Sequence, residues 1–140
     1  MPLINEKPSL TYVAKTGAVI APQSVAAAGN PLSSWVDSAT LNKWAKVISL
    51  AGAGAGTFAL KIQQATSAAG ANAKDLITAA VLGITAQAAA SVVQVDVPLD
   101  EGLLDLANGF RWIQLNATCT GGAGTFYAAV LELGPSAWSA

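Results

Sequence analysis

The pentapeptide Gly-Ala-Gly-Thr-Phe occurs twice in this chain, at 54–58 and at 122–126. The copies stand 68 positions apart, and the same spacing relates Trp44 to Trp112, Lys43 to Arg111, Ala39 to Ala107 and Asp37 to Asp105. Both units therefore read Asp-x-Ala, a basic residue with Trp, a mostly apolar run, a glycine-rich turn, then Thr-Phe. One duplication at this spacing is longer than solenoid periods, which argues against a repeat array. It calls for a fold that uses one strand–turn–strand unit twice. Read locally, each unit is a β-hairpin closed by its own glycine turn, one hairpin in each of two sheets.

The flanking residues extend this pattern. Phe58, Leu60 and Ile62 alternate with Thr57, Ala59, Lys61 and Gln63, which predicts a strand over 57–64 with the first three on the core face. Strands are also expected over 33–36, 44–50, 91–97, 110–118 and 125–133, with turns at 51–56 and 119–124. Residues 65–74 lack a large apolar side chain and read as a surface loop. Residues 75–85 are two-sided. Asp75 as a cap, with Ala79 and Ala80, favours a helix ending at Gly83. The β-branched Ile77, Thr78, Val81, Ile84 and Thr85 favour a strand, and strand is the choice consistent with β neighbours on both sides. Residues 99–109 form a connector whose last helical turn stops at Gly109. The sum is an all-β, jelly-roll-like sandwich of about eight antiparallel strands.

Residues 1–32 differ from this body, which spans 33–140. Pro2, Pro8, Pro22 and Pro31 punctuate them, so they are expected to form an extended N-terminal arm. Leu3, Ile4, Leu10, Tyr12, Val13, Val19 and Ile20 give that arm more apolar surface than a solvated tail carries, which marks them as candidate partner-binding residues.

The chain offers little for chemistry. It has no His, which excludes His-based triads and His-ligated metals. A single cysteine, Cys119, excludes an intrachain disulfide and reads as a small buried hydrophobe. The one concentration of carboxylates is Asp96, Asp100, Glu101 and Asp105, without the alternating acidic pattern of a calcium loop. The glycine turns lack the Lys-Ser/Thr of a phosphate loop. Asp37 and Asp105 read as turn caps or as partners of Lys43 or Arg111. These readings predict no enzyme, no metal and no cofactor. Charged residues make up 11% of the chain against about 25% in a typical domain, with net charge −1. No basic footprint exists for nucleic acid or an anionic membrane. Polar residues interrupt the uncharged run at 76–95, so no membrane helix is expected there, and 1–8 do not read as a signal peptide. A surface so poor in charge is either made from Ser, Thr, Asn, Gln and Ala or covered in a homo-oligomer or a larger assembly.

Several stretches carry a further resemblance. They are Phe58-Ala-Leu-Lys-Ile-Gln-Gln-Ala-Thr-Ser, Lys74-Asp75-Leu76, Val95-Asp96-Val97, the run from Leu103-Leu104-Asp105 through Gly109-Phe110-Arg111-Trp112-Ile113, and the closing Leu131-Glu-Leu-Gly-Pro. Over residues 33–138 the chain resembles the capsid decoration, or cement, proteins of tailed bacteriophages, which are β-sandwich jelly rolls. The resemblance implies a non-enzymatic virion protein on the capsid surface, assembled in the host cytoplasm. It implies a homo-oligomer, with a trimer favoured, that clamps neighbouring subunits of the major capsid protein. The alternatives are a phage tail or receptor-binding module, a carbohydrate-binding jelly roll and, last, a small hydrolase.

Overall fold

The computed structural model describes residues 12–38, 44–98 and 103–135, with backbone alone at 12–16, 44, 98 and 131–135. Eight strands occur among them: β1 (Tyr12–Val25), β2 (Val36–Asp37), β3 (Trp44–Gly54), β4 (Thr57–Ala65), β5 (Lys74–Ile77), β6 (Ser91–Pro98), β7 (Trp112–Thr120) and β8 (Gly124–Pro135). A one-turn helix, α1 (Ala79–Leu82), and a 3₁₀ turn at Leu106–Asn108 complete the elements. The strands form two antiparallel four-stranded sheets, A in the order β1-β8-β3-β6 and B in the order β2-β7-β4-β5. This order is that of a jelly roll, in which the chain is folded back on itself and rolled into a sandwich.

The duplicated units are not hairpins, contrary to the local reading of their glycine turns. β3 pairs with β6 and β8, whereas β4 pairs with β5 and β7. Each unit instead crosses from one sheet to the other at its glycine corner, in opposite directions. Alternation along a strand is the same whether its sequence neighbour lies beside it or across the core. What closes the arrangement is a pseudo-two-fold relation between the units. All seven pairs from Ala45↔Glu132 to Ala51↔Phe126 have a counterpart 68 positions away, from Ile113↔Gln64 to Cys119↔Phe58. The sheet centres β3·β8 and β7·β4 are therefore the same object used twice, in the same register.

The two corners meet on this axis. Gly56 N donates to Ala123 O at 3.0 Å, as does Ala55 N. A Cβ at Gly54 would fall 2.4 Å from Ala123 O, so the corners approach too closely for a side chain. Beneath them Phe58 and Phe126, equivalent by duplication, stack across the sandwich with centroids 4.5 Å apart and planes at 18°. The inward positions of the central strands are Ala45, Val47, Ser49 and Ala51 on β3 and Ile113, Leu115, Ala117 and Cys119 on β7. Phe58, Leu60 and Ile62 on β4 face Phe126, Ala128 and Val130 on β8. Small inward residues sit beside large ones, as in Leu60 opposite Ala117. Cys119 is buried and its thiol donates to Gly122 O at 3.1 Å, a packing role in agreement with its sequence context.

Ser49 is the polar exception. Its hydroxyl donates to the Gln87 side chain, which returns Nε2 to the carbonyls of Ser49 and Ser91, each at 3.0 Å. The Gln87 backbone in turn exchanges both hydrogen bonds with Phe58. This residue stitches the two sheets at one edge and satisfies every group it buries.

Two further expectations need correction. Residues 75–85 are not one strand. β5 ends at Ile77, Thr78 caps α1 by accepting from Val81 N, and Gly83 ends the turn at φ 80°. The cap is Thr78, not Asp75, because Asp75 is already committed to the β4 ladder opposite Gln63. The boundary at residue 32 does not separate an arm from a body over the described residues. β1 is an edge strand of sheet A, paired with β8 from Tyr12↔Pro135 to Val25↔Gly124. Two register shifts, between Thr16 and Val19 and between Ile20 and Gln23, let it carry Pro22 at the edge. Beyond it, Ala117 N and Cys119 N donate to Pro31 O and Gly29 O, joining the segment to β7.

Candidate docking face

β1 distributes the sequence-predicted partner residues unevenly. Leu3, Ile4 and Leu10 lie outside the described residues. Tyr12 and Val13 lie at the start of β1, opposite Pro135 and Gly134. Ile20 is fully buried in the core, which removes it as a contact residue; it fills the space between the sheets instead. Val19 is half-buried and lies on the outer face of sheet A, in the row Val19–Ala129–Ile48–Gln94.

That outer face is apolar. Leu50 on β3 is flanked by Tyr127 on β8 and by Val92 on β6. Leu50 is 37% exposed and Val92 57%. Beside them Pro22, Leu50, Gly52 and Tyr127 line a shallow hollow of about 470 Å³ with no carboxylate, amine or thiol in its walls. Among the described residues the one ion pair on this face is Lys46 with Asp96, at 3.2 Å and one row from Ile48.

The outer face of sheet B is the opposite. Its exterior positions are Thr57, Ala59, Lys61 and Gln63 on β4 and Asn116, Thr118 and Thr120 on β7. Their polar groups bond to one another. Asn116 donates to Gln63 at 2.8 Å, Lys61 pairs with Asp75 at 2.8 Å, and the Thr57 and Thr120 hydroxyls meet at 3.0 Å. The duplication makes the comparison position by position: Ile48 corresponds to Asn116, Leu50 to Thr118, Tyr127 to Ala59 and Ala129 to Lys61. The fold accepts polar residues at three of these four sites, Asn116, Thr118 and Lys61, so the apolar residues there on sheet A are not a folding requirement. Sequence reading missed this face because it assigned the apolar surplus to the arm. The 68-residue offset contained the signal, in the unequal polarity of equivalent outward positions.

The described charged groups are dispersed in pairs. Arg111 grips both oxygens of Asp37, one of the pairings expected, and this raises its already high pKa; Asp105 pairs instead with a lysine that the sequence reading did not name. Lys74 pairs with Asp105 at 2.5 Å and sits 4.0 Å over the Phe110 ring. That ammonium, helped by Asn108, holds the Asp105 carboxyl below its ordinary range. Lys61 does the same for Asp75; burial opposes it, and a hydrogen bond from Gln63 adds to the lowering. Of the acidic cluster, Asp100 and Glu101 lie outside the described residues, and Asp96 and Asp105 face separate lysines. Among the described residues no group of three or more His, Cys, Asp or Glu side chains is placed to hold a metal, and no helix is long and apolar enough to cross a membrane.

The lowered carboxyls fix a pH dependence. Because they sit below the ordinary value of 3.8, the unfolded chain takes up protons first as the pH falls. Their contribution to stability is complete above about pH 4 and is lost as the pH drops through the lowered folded values. The urea midpoint is expected to hold from neutrality to about pH 5 and fall below pH 4. In Lys61→Met the Asp75 carboxyl, followed by NMR, is expected to titrate closer to 3.8.

Fold and surface together define the class: an eight-stranded jelly-roll sandwich with one apolar and one polar outer face. No protein-family model, no curated protein and no solved structure matches the sequence.

Proposed function

We propose that the chain is a structural virion protein, a decoration or cement protein that binds the outer surface of a phage capsid as a homo-oligomer and stabilises contacts between major capsid subunits. The observation that carries this reading is the apolar outer face of sheet A, which the fold itself does not need. A wide sheet face whose described charges neutralise each other suits contact with protein, and the described hollows lack carboxylate, amine and thiol side chains. The sequence resemblance over 33–138 supplies the kind of assembly, and a trimer is the oligomer it implies. A protein that binds only the assembled shell adds its binding free energy to the shell, about 2.7 kcal/mol per site at a hundredfold excess over Kd.

The N-terminal contribution narrows to residues 1–11, with Leu3, Ile4 and Leu10, because β1 belongs to the sheet. Purified protein is expected to co-sediment with expanded empty shells and to raise their melting temperature. A variant starting at residue 12 is expected to keep its far-ultraviolet spectrum and lose shell occupancy. Absence of binding by the intact chain to shells of its own phage would overturn the reading. Binding to soluble glycans instead would favour the carbohydrate-binding alternative.

A further inference from the structure

We infer that the outer face of sheet A is buried against a second copy of this chain. The inference does not rest on a virion role. It begins from the internal comparison that the duplication provides: the same backbone positions carry Asn116 and Thr118 on sheet B but Ile48 and Leu50 on sheet A. Neighbouring outward apolar residues at positions where the fold tolerates polar ones mark a contact surface.

Charge and area favour self-contact. Lys46 and Asp96 occupy one row of the face and neutralise each other. Two copies of this surface therefore meet without an uncompensated charge, and each Lys46 finds an Asp96 on the other copy as readily as on its own. Four strands about 4.8 Å apart, paired over about eight residues at about 3.3 Å each, span roughly 500 Å². Two such faces bring together about 1,000 Å², the size a specific interface needs. Val19, Pro22, Ile48, Leu50, Val92 and Tyr127 supply the apolar centre. The hollow at Leu50 and Tyr127, which Gln23, Ser24 and Thr125 also line, offers a recess open to the outward Val92 of a partner copy.

The test is the mass of the purified full chain by light scattering across roughly 10–200 µM, a range that brackets micromolar dissociation. The wild type is expected at a multiple of 14.0 kDa. Leu50→Lys combined with Val92→Lys is expected to give the 14.0 kDa monomer with an unchanged circular dichroism spectrum, since both side chains are already exposed. Thr118→Lys, the equivalent change on sheet B, is expected to leave the mass unaltered. A milder variant, Val92→Ala, which leaves the partner's recess unfilled, is expected to shift association to higher concentration. A wild type that is monomeric throughout this range overturns the inference, as does an oligomer that survives the double lysine substitution. A monomer that binds shells through this face would overturn it while leaving the shell-binding role, though not the homo-oligomer, standing.

Discussion

Replacement of either Phe58 or Phe126 by alanine is expected to destabilise the protein by about 3–5 kcal/mol, and the two single variants are expected to behave alike. Each ring is buried, and each is the other's stacking partner on the pseudo-two-fold axis. Removing one ring opens a cavity in the core and strips the other of its aromatic contact. Domains of this size are stable by about 5–15 kcal/mol, so one substitution consumes a large share. The double variant is expected to cost less than the sum by about 0.5–1.5 kcal/mol, because the stacking contribution is lost only once. Urea unfolding of the four proteins measures this directly. Full additivity would mean that the rings do not touch.

The glycine corners give the second large effect. Gly54→Ala places a Cβ 2.4 Å from Ala123 O and 2.5 Å from the Gly124 Cα, at φ 142°. Both obstacles are backbone of the opposite corner, so relief requires the two units to move apart. Backbone strain and overpacking, at about 1–3 kcal/mol each, predict a total of about 2–6 kcal/mol. Gly56→Ala meets Gly122 O at 2.6 Å and the Cys119 sulfur at 2.7 Å, and is expected to cost about 1–3 kcal/mol through overpacking. Gly121→Ala is the control. It also has a positive φ, of 80°, but no neighbour within 4 Å, and about 1 kcal/mol is expected. A Gly54 variant no worse than the Gly121 variant would show that the corners are not in contact. Thermal unfolding of the three variants ranks them.

Much of the fold was legible because alternation is a local property. Phe58, Leu60 and Ile62 announce a one-faced strand, and the structure buries all three. The 3₁₀ turn ending at Gly109 was equally readable, since the left-handed cap that stops it is a residue-specific need. The partner of each strand was not legible in the same way. A run of small residues at 51–56 permits a hairpin and a sheet-to-sheet corner alike, and the choice is made by residues 68 positions distant. Length and punctuation misled at β1. Its prolines suggested a free arm, but register shifts at an edge accommodate Pro22 while Ile20 still reaches the core. At 75–85 the competing propensities were both satisfied, the strand first and a Thr78-capped turn after it. The candidate face was the least visible part. Its residues are dispersed over β1, β3, β6 and β8, and only the sheet order brings Val19, Leu50, Val92 and Tyr127 to one surface.

Everything above depends on the crossing of the two duplicated units, and cross-strand nuclear Overhauser contacts test it most directly. The account predicts ladders joining Val47 to Val130 and Ile62 to Leu115, with none joining Leu50 to Thr57 or Thr118 to Thr125. Ladders between Leu50 and Thr57 and between Thr118 and Thr125 would mean two hairpins, and would contradict both the corner packing and the two-faced sandwich built on it.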